Sequence, residues 1–416
     1  MSASKDGKPE WRSFWFLPLA AALGYSTSVI HVYSIGPFIG PLQHEFAWSR
    51  AQISVGLTVS SFISAILCIP IGMLVDRVGP RRVGLVGVLV MSGAFALLGT
   101  TTGTPANWIV LWSVIALGTL FVQATVWTSA VASRFEASRG LAFAITLSGG
   151  SLSATVFPVL ATWLIGAHGW RIAFAAMAGI WAGLVFPILF LFFRGSRDTK
   201  REETAAAPSA PLAGVTLSQG LRSPTLYKLL LASALFSFTT IGAVVHFVPI
   251  LTDRGATPLA AAGVASLVGI FSIAGRLGTG VLLDRFPAHL IGAVAFLLPI
   301  IGSLLLLLDG ANPINQSVAA AVIGLTVGSE VDVIAYLAAR HFGLKNFGAL
   351  YGAMVMALSL GTAFGPLAAG ALVDRYGSYA PFLMLAMLLM AVSAAALISL
   401  GPTPSAAPHL TSGDLI

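Results

Sequence analysis

Charge is scarce in this chain. Asp, Glu, Lys and Arg make up 9% of its 416 residues, against roughly a quarter in a soluble domain. The 57% of residues that are apolar must face lipid or one another, so a water-soluble fold is excluded. There is one cysteine, Cys68. It excludes an intrachain disulfide and argues against a thiolate metal centre. The seven histidines are scattered without ligand spacing, so neither a metal nor a cofactor is expected. No Gly-x-x-x-x-Gly-Lys-Ser/Thr loop occurs, which argues against ATP hydrolysis by this chain. Gly278-x-Gly280 lies inside an apolar run and is no dinucleotide fingerprint. There is no His-Glu-x-x-His and no Ser/His/Asp set on a plausible loop. The chain is not expected to be an enzyme.

What is present is a repeat. Gly72-Met-Leu-Val-Asp76-Arg77 returns 208 residues later as Gly280-Val-Leu-Leu-Asp284-Arg285. At the same offset Pro41 returns as Pro249, Pro158 as Pro366, Gly169 as Gly377 and Phe174 as Phe382. One offset over several separated places implies two equivalent halves. In a chain this apolar, it is the mark of a pseudosymmetric membrane carrier.

About 20 apolar residues cross a bilayer as a helix. Twelve such runs occur, at 14–40, 51–75, 83–102, 108–132, 140–165, 170–193, 226–250, 259–283, 289–308, 316–339, 348–372 and 379–400. The first run is too long for a cleaved signal peptide and reads as a retained span. The expected fold is an all-α membrane protein with twelve transmembrane helices in two pseudosymmetric six-helix bundles. The expected organisation is a first bundle at 1–193, a cytoplasmic linker at 194–225, a second bundle at 226–400 and a cytoplasmic tail at 401–416. A short surface helix is expected within the linker, over Thr216 to Leu221.

Basic residues set the orientation. With the N-terminus inside, 17 of the 22 Lys and Arg fall on the cytoplasmic side and four on the outer side, Arg50, Arg171, Arg254 and Arg375. Both termini are therefore expected in the cytoplasm. The pI near 9.9 follows from that topology, and nucleic acid is not an expected partner. Arg outnumbers Lys 17 to 5, and Ala and Gly abound, which points to a bacterial inner membrane. A monomer is expected.

Twelve spans in two halves, a central polar loop, and Gly72-x-Leu-x-Asp76-Arg77-x-Gly79-x-Arg81-Arg82 between spans two and three resemble the major facilitator superfamily over the whole chain. Within it the closer similarity is to monocarboxylate transporters and the related oxalate/formate group. Trp48-Ser49-Arg50, Arg139-Gly140-Leu141-Ala142, Gly275-Arg276, and Phe347-Gly348 through Tyr351-Gly352 carry it. The family's membrane Asp beside the span-eight arginine is absent here, and Ser272 stands in its place. Its span-one lysine position falls on His31.

Three charges fall inside spans. Arg276 lies ~12 Å above Asp284 on span eight, and Glu330 and Asp332 lie ~15 and ~12 Å above Arg340 on span ten. All three share one depth near the midplane. A charge there costs roughly 2.5–3.5 kcal/mol, so it should face a cavity and a partner. A structural ion pair would account for the cluster. Alternatively, Arg276 anchors a substrate carboxylate through its planar fork, the role that the resemblance gives the matching arginine. Glu330 and Asp332 stand about 200° apart around their helix, so one should meet Arg276 or the cavity; Glu330 is the favoured cavity acid. Proton coupling is assigned to Glu330, Asp332 and His31. With both acids ionised the cluster carries −1 and repels an anion, so proton and anion should bind together.

Candidate substrate contacts besides Arg276 are His31, Tyr33, Gln123, Trp127, Tyr336 and Tyr351. Polar-tipped aromatics suit a small organic acid with an apolar body, although each is also an ordinary packing residue. His246 reads as interface packing. Asp76, Arg77, Arg81, Arg82, Arg134, Asp284, Arg285 and Arg340 sit at the cytoplasmic mouth. They are assigned to gating, because the resemblance implies that this cluster steadies the outward-open state. The function expected is proton-coupled symport of a small monocarboxylate or related anion. The alternatives are an exporter or antiporter of larger amphiphiles, and a sensor that binds ligand without moving it.

Overall fold

The computed structural model describes residues 8–195, 214–343 and 345–402. The described chain is helical apart from short joints and one antiparallel bridge between Gly214 and Gly343. The first half comprises α1 (Lys8–Phe14), α2 (Phe16–Ser28), α3 (Ile30–Phe46), α4 (Arg50–Val78), α5 (Pro80–Leu97), α6 (Pro105–Leu120), α7 (Ala124–Ala132), α8 (Arg139–Leu147), α9 (Gly149–His168) and α10 (Trp170–Phe192). After a short α11 (Leu217–Arg222), the second half comprises α12 (Pro224–Val245), α13 (Phe247–Thr252), α14 (Pro258–Arg285), α15 (Ala288–Asp309), α16 (Pro313–Phe342), α17 (Phe347–Tyr376) and α18 (Ala380–Ile398). Eleven segments are long and apolar enough to cross a bilayer, and α2 with α3, bent by 40° at their joint, makes a twelfth.

Local chemistry sets the ends. Thr104, Thr257 and Asn312 each precede a proline, and their side-chain oxygens accept from the N–H of Asn107, Ala260 and Ile314. A polar cap followed by a proline that needs no N–H partner is a strong helix start. Gly169 and Gly377 end α9 and α17 with φ of 78° and 68°, a conformation that costs glycine little. That is why both copies survive in the repeat. Gly79 ends α4 at φ 94°, whereas α14 ends in extended Phe286, at φ −127°. The second copy turns through Phe286-Pro287 and needs no glycine, so the motif decays there.

Four spans are broken. The first breaks at Val29, the fourth over Phe121–Gln123, the fifth at Ser148 and the seventh at His246. Interrupted helices are tolerated at membrane depth only where protein or a cavity satisfies the backbone. They mark the places to look for a site.

α2–α10 surround one core, with Phe38 stacked on Phe174 at 3.8 Å. α12–α18 surround further apolar clusters, the largest around Phe236 and Phe296. The halves meet along α4–α17, α9–α14 and α3 against α12 and α13. α4 and α14 are the second spans of their halves, and α9 and α17 the fifth, so exchanging the halves maps one seam onto the other. Gly361 and Gly365 let α17 lie against the α12 backbone at Ala234 and Phe238. They serve close approach, as small residues at helix interfaces do.

With an even number of spans, both ends of the chain lie on one face, here called the terminal face; the opposite one is the far face. Part of the expected linker, 196–213, lies outside the described residues, as does the tail from 403 on. Val215 N–H donates to the Phe342 carbonyl at 2.9 Å. α11 is capped by Thr216 and Gln219 and seats Gly220 against Leu350. It occupies the place of the short helix expected there.

Candidate functional site

The site begins with two helices pressed backbone to backbone. Gly275, Gly324 and Gly328 stand where any larger residue would meet Leu325, Val268 or Ser272 main-chain atoms across the α14–α16 contact. Thr279 donates to Ser329 at 2.6 Å across the same contact. This proximity sets Arg276 of α14 beside the acids of α16. Its Nη1 lies 3.5 Å from Asp332 Oδ1. Arg276 is 9% exposed and Glu330 8%, whereas the Asp332 side chain is 30% exposed. Arg276 Nε and Nη1 and Glu330 Oε1 are buried without a hydrogen-bond partner.

The sequence favoured Glu330 as the acid on the cavity. The structure gives the ion pair to Asp332, which is also the more exposed acid, while Glu330 is buried and unpaired. The two acids divide as their angular separation requires.

Three phenols complete the cluster. Tyr25 of α2 and Tyr33 of α3 lie close enough to feel the charges of both Arg276 and Glu330. Tyr351 of α17 feels those two, and Asp332 and Tyr25 as well. Three phenols from both halves thus lie within electrostatic range of the cation and at least one of the acids. Tyr25 was not among the expected contacts. Its sequence signal was a phenol on the same span as His31 and Tyr33.

Other candidates lie elsewhere. Trp127 is fully buried in the first half. Its indole N–H donates to the Val122 carbonyl at 2.8 Å, and its ring fills the space left by Gly24 and Gly84 beside Phe193. It satisfies the broken fourth span from inside the core, and the contacts it makes there are packing contacts. His31 is buried edge-on to Trp112 at 5.8 Å, with Nδ1 unpartnered. Its contact is the first-half core. Gln123 is the N-cap residue of α7, at the break itself. Tyr336 accepts from Arg340 Nε and Nη2 at 3.2 and 3.1 Å, which places it with the terminal-face charges.

At that face two of the candidate arginines bond carbonyls of their own half. Arg81 donates to the Phe190 carbonyl at 2.7 Å. Arg134 donates to the Gly195 carbonyl at 3.0 Å and lies over the Phe14 ring. Arg77, Arg82 and Arg285 are exposed. The side chains of Asp76 and Asp284 lie outside the described residues.

The far face differs. Arg50 grips Asp253 of the other half bidentately, at 2.7 and 2.9 Å, and donates to Tyr379 at 2.8 Å. The Asp374 carboxylate accepts the N–H of Arg50 and Ala51 at 3.0 and 2.9 Å, capping α4 from across the seam. Thr58 donates to the Ala363 carbonyl at 2.6 Å. Among the described residues, the hydrogen bonds that join the halves thus cluster in the far half of the molecule. None of these residues was a gating candidate. The legible signal was charge of opposite sign at the far ends of spans two, seven and eleven. Among the described residues no group of three or more His, Cys, Asp or Glu could hold a metal ion.

Two six-span bundles, a charged cluster at midplane depth and a polar seam between them at one face are the architecture of a membrane transporter. The sequence profile of the Major Facilitator Superfamily matches residues 21–329, and the chain belongs to that family. The uncharacterized MFS-type transporter YhjX of Escherichia coli is 22% identical over 326 residues, 76% of each chain. Monocarboxylate transporter 13 of Rattus norvegicus is 27% identical over 397 residues, 93% of this chain and 88% of that one. A bacterial homolog of the human lysosomal transporter Spinster, solved inward-facing and unoccupied, matches with a TM-score of 0.69 at 18% identity. The match covers 95% of this chain and 99% of that one, and it shows the shared fold.

Proposed function

We propose that this chain is a proton-coupled carrier of a small monocarboxylate, working as a monomer by alternating access in a bacterial inner membrane. The observation that carries the reading is Arg276, a buried guanidinium whose Nε and Nη1 have no hydrogen-bond partner. Buried donors are rarely left unmade, and a planar fork fits a carboxylate. The phenols of Tyr25, Tyr33 and Tyr351 can donate to the same anion. A ligand held by Arg276 of one half and Tyr25 and Tyr33 of the other bridges both.

With both acids ionised the cluster carries −1. Asp332 must release Arg276 before a substrate carboxylate can replace it, and a proton on either acid removes the net repulsion. Anion and proton then enter together. The basic residues, 17 against four, support a cytoplasmic terminal face. On that orientation the polar seam closes the outside, and the site opens inward. The likeness to a protein named as a monocarboxylate transporter supports the substrate class.

Uptake of labelled lactate or pyruvate into proteoliposomes, with and without an inward proton gradient, tests the reading. Arg276→Gln should lower uptake roughly 100-fold, as expected when a charge loses its partner at a cost of about 3 kcal/mol. Unchanged uptake rejects the anchor. Of Glu330→Gln and Asp332→Asn, the one that removes the proton carrier should leave uptake insensitive to the gradient; gradient-driven uptake in both rejects proton coupling at this site. The second reading is export of a larger amphiphile; the apolar crevice between the halves, lined by Tyr33, Pro37, Pro158, Val244, Phe247 and Val248, has room for about one water and would have to widen for it. Efflux of such compounds without lactate uptake would select it.

A further inference from the structure

The joint between α12 and α13 holds a titratable side chain that the midplane scheme does not use. His246 is fully buried at the seam between the halves. Its Nδ1 lies 2.8 Å from the Tyr379 hydroxyl. Its Nε2 lies 3.0 Å from the Pro366 carbonyl oxygen and 3.2 Å from Ser54 Oγ.

These partners fix the tautomer. A carbonyl can only accept, so Nε2 carries the ring proton. Nδ1 is then an acceptor, and the Tyr379 hydroxyl donates to it. The same hydroxyl oxygen accepts from Arg50 Nη1. One directed chain of bonds runs from Arg50 through Tyr379 and His246 to Pro366. A second proton on the ring has no place in it. It would set an N–H against an O–H already aimed at the ring, and put a full charge into a dry seam beside Arg50.

The groups that face this position are few. α4 brings Arg50 and Ser54, the end of α13 brings Asp253, α17 brings Asp374 and the Pro366 carbonyl, and Tyr379 precedes α18. Asp253 is committed to the Arg50 side chain, and Asp374 to the start of α4. Neither bonds the imidazole.

His246, Pro366 and Tyr379 belong to the second half, and Ser54 and Arg50 to the first. Parting the halves at the far face removes Arg50 from Tyr379 and Ser54 from His246, and lets water reach the ring. A hydrated imidazole titrates near a pKa of about 6.5. We infer that His246 is a second proton-binding site, neutral while the far face is locked and protonated when it is open. Acid on that side then holds the carrier open to it. The sign follows from linkage: the proton binds the open state only, so the lock is stable above that range and weakens as pH falls. This inference rests on the alternating-access part of the proposed function and not on the identity of the substrate.

Spin labels on the exposed residues Ala106 and Ser378, one in each half at the far face, report its opening. They would be introduced as cysteines in a Cys68→Ser chain in nanodiscs without substrate. Between pH 8 and 5 the open-to-closed ratio should rise, by at most about tenfold per pH unit for one proton. His246→Gln keeps a donor and an acceptor but does not titrate, and should abolish that rise. Tyr379→Phe removes the opposing hydroxyl and should move the transition to higher pH. Glu330→Gln and Asp332→Asn should leave the profile in place. A flat wild-type profile, a His246→Gln profile like the wild type, or loss of the profile on changing Asp332 or Glu330 would each overturn the assignment. Failure of the substrate reading appears instead as missing lactate uptake with the pH profile intact.

Discussion

The two faces of the molecule hold their arginines differently. At the far face Arg50 reaches across the seam to Asp253 and Tyr379, and Asp374 reaches back to cap α4. At the terminal face Arg81, Arg134 and Arg340 bond carbonyls, rings or a phenol of their own half. Charges that cross the seam resist its opening, and charges held at home do not. The contrast places the free energy that opposes opening of the far face in a few far-face side chains.

Breaking Arg50 should have the largest effect on that contrast. Arg50→Ala removes both bonds to Asp253 and the bond to Tyr379. Truncating one partner of a buried charge pair costs about 2–5 kcal/mol. Here Asp253 is 40% exposed, so solvent screening reduces the expected loss to about 1–2 kcal/mol. Distances between far-face spin labels should show the open-to-closed ratio rising roughly 5- to 30-fold. Arg50→Lys keeps the charge without the fork and should fall between. An unchanged ratio in Arg50→Ala would mean that the seam is held by apolar packing alone.

Asp374→Asn tests a weaker strand of the same seam. The carboxylate meets the positive end of α4 and two of its N–H groups. An amide oxygen can still accept one, and the favourable charge at a helix start is worth only ~0.3–1 kcal/mol. A two- to fivefold shift toward the open state is expected by the same distance measurement. A shift as large as that of Arg50→Ala would make the cap, and not the ion pair, the main fastening.

The sequence reveals one side of this comparison better than the other. Depth along a helix can be counted, so Arg276, Glu330 and Asp332 come out at one level before any coordinates. The repeat is legible because Gly169 and Gly377 do the same backbone work at positive φ. Direction around a helix is harder. Two acids two residues apart could not be assigned to Arg276 until the α14–α16 glycine contacts fixed the rotation. Trp127 looks like a cavity aromatic in sequence and is a core one, because the Val122 carbonyl that it satisfies exists only where the fourth span breaks. The Arg50–Asp253 pair spans 203 residues, and each member alone is an ordinary charge at a span end. Only the facing of the two halves makes them a lock.

The terminal face offers the converse test, a contact strong in its own half and neutral to the seam. The Glu10 carboxylate accepts the N–H groups of Glu136, Ala137 and Ser138 at 2.9, 2.9 and 3.1 Å. Trp11 sits 5.0 Å from the Phe135 ring beside it. α1 thereby clips the turn between α7 and α8, at the start of the fifth span. Glu10→Gln keeps the shape, halves the acceptor set and removes the charge. Each lost hydrogen bond is worth about 0.5–1.5 kcal/mol, so amide exchange at 136–138 should quicken roughly two- to tenfold by local opening. Both partners belong to the first half, so the far-face ratio should stay where it was. If Glu10→Gln also shifts that ratio, the clip bears on the switch itself. The two faces would then be coupled through the first half as a body, and the contrast drawn from their arginines would have to be replaced by one between the seam and everything that shapes it.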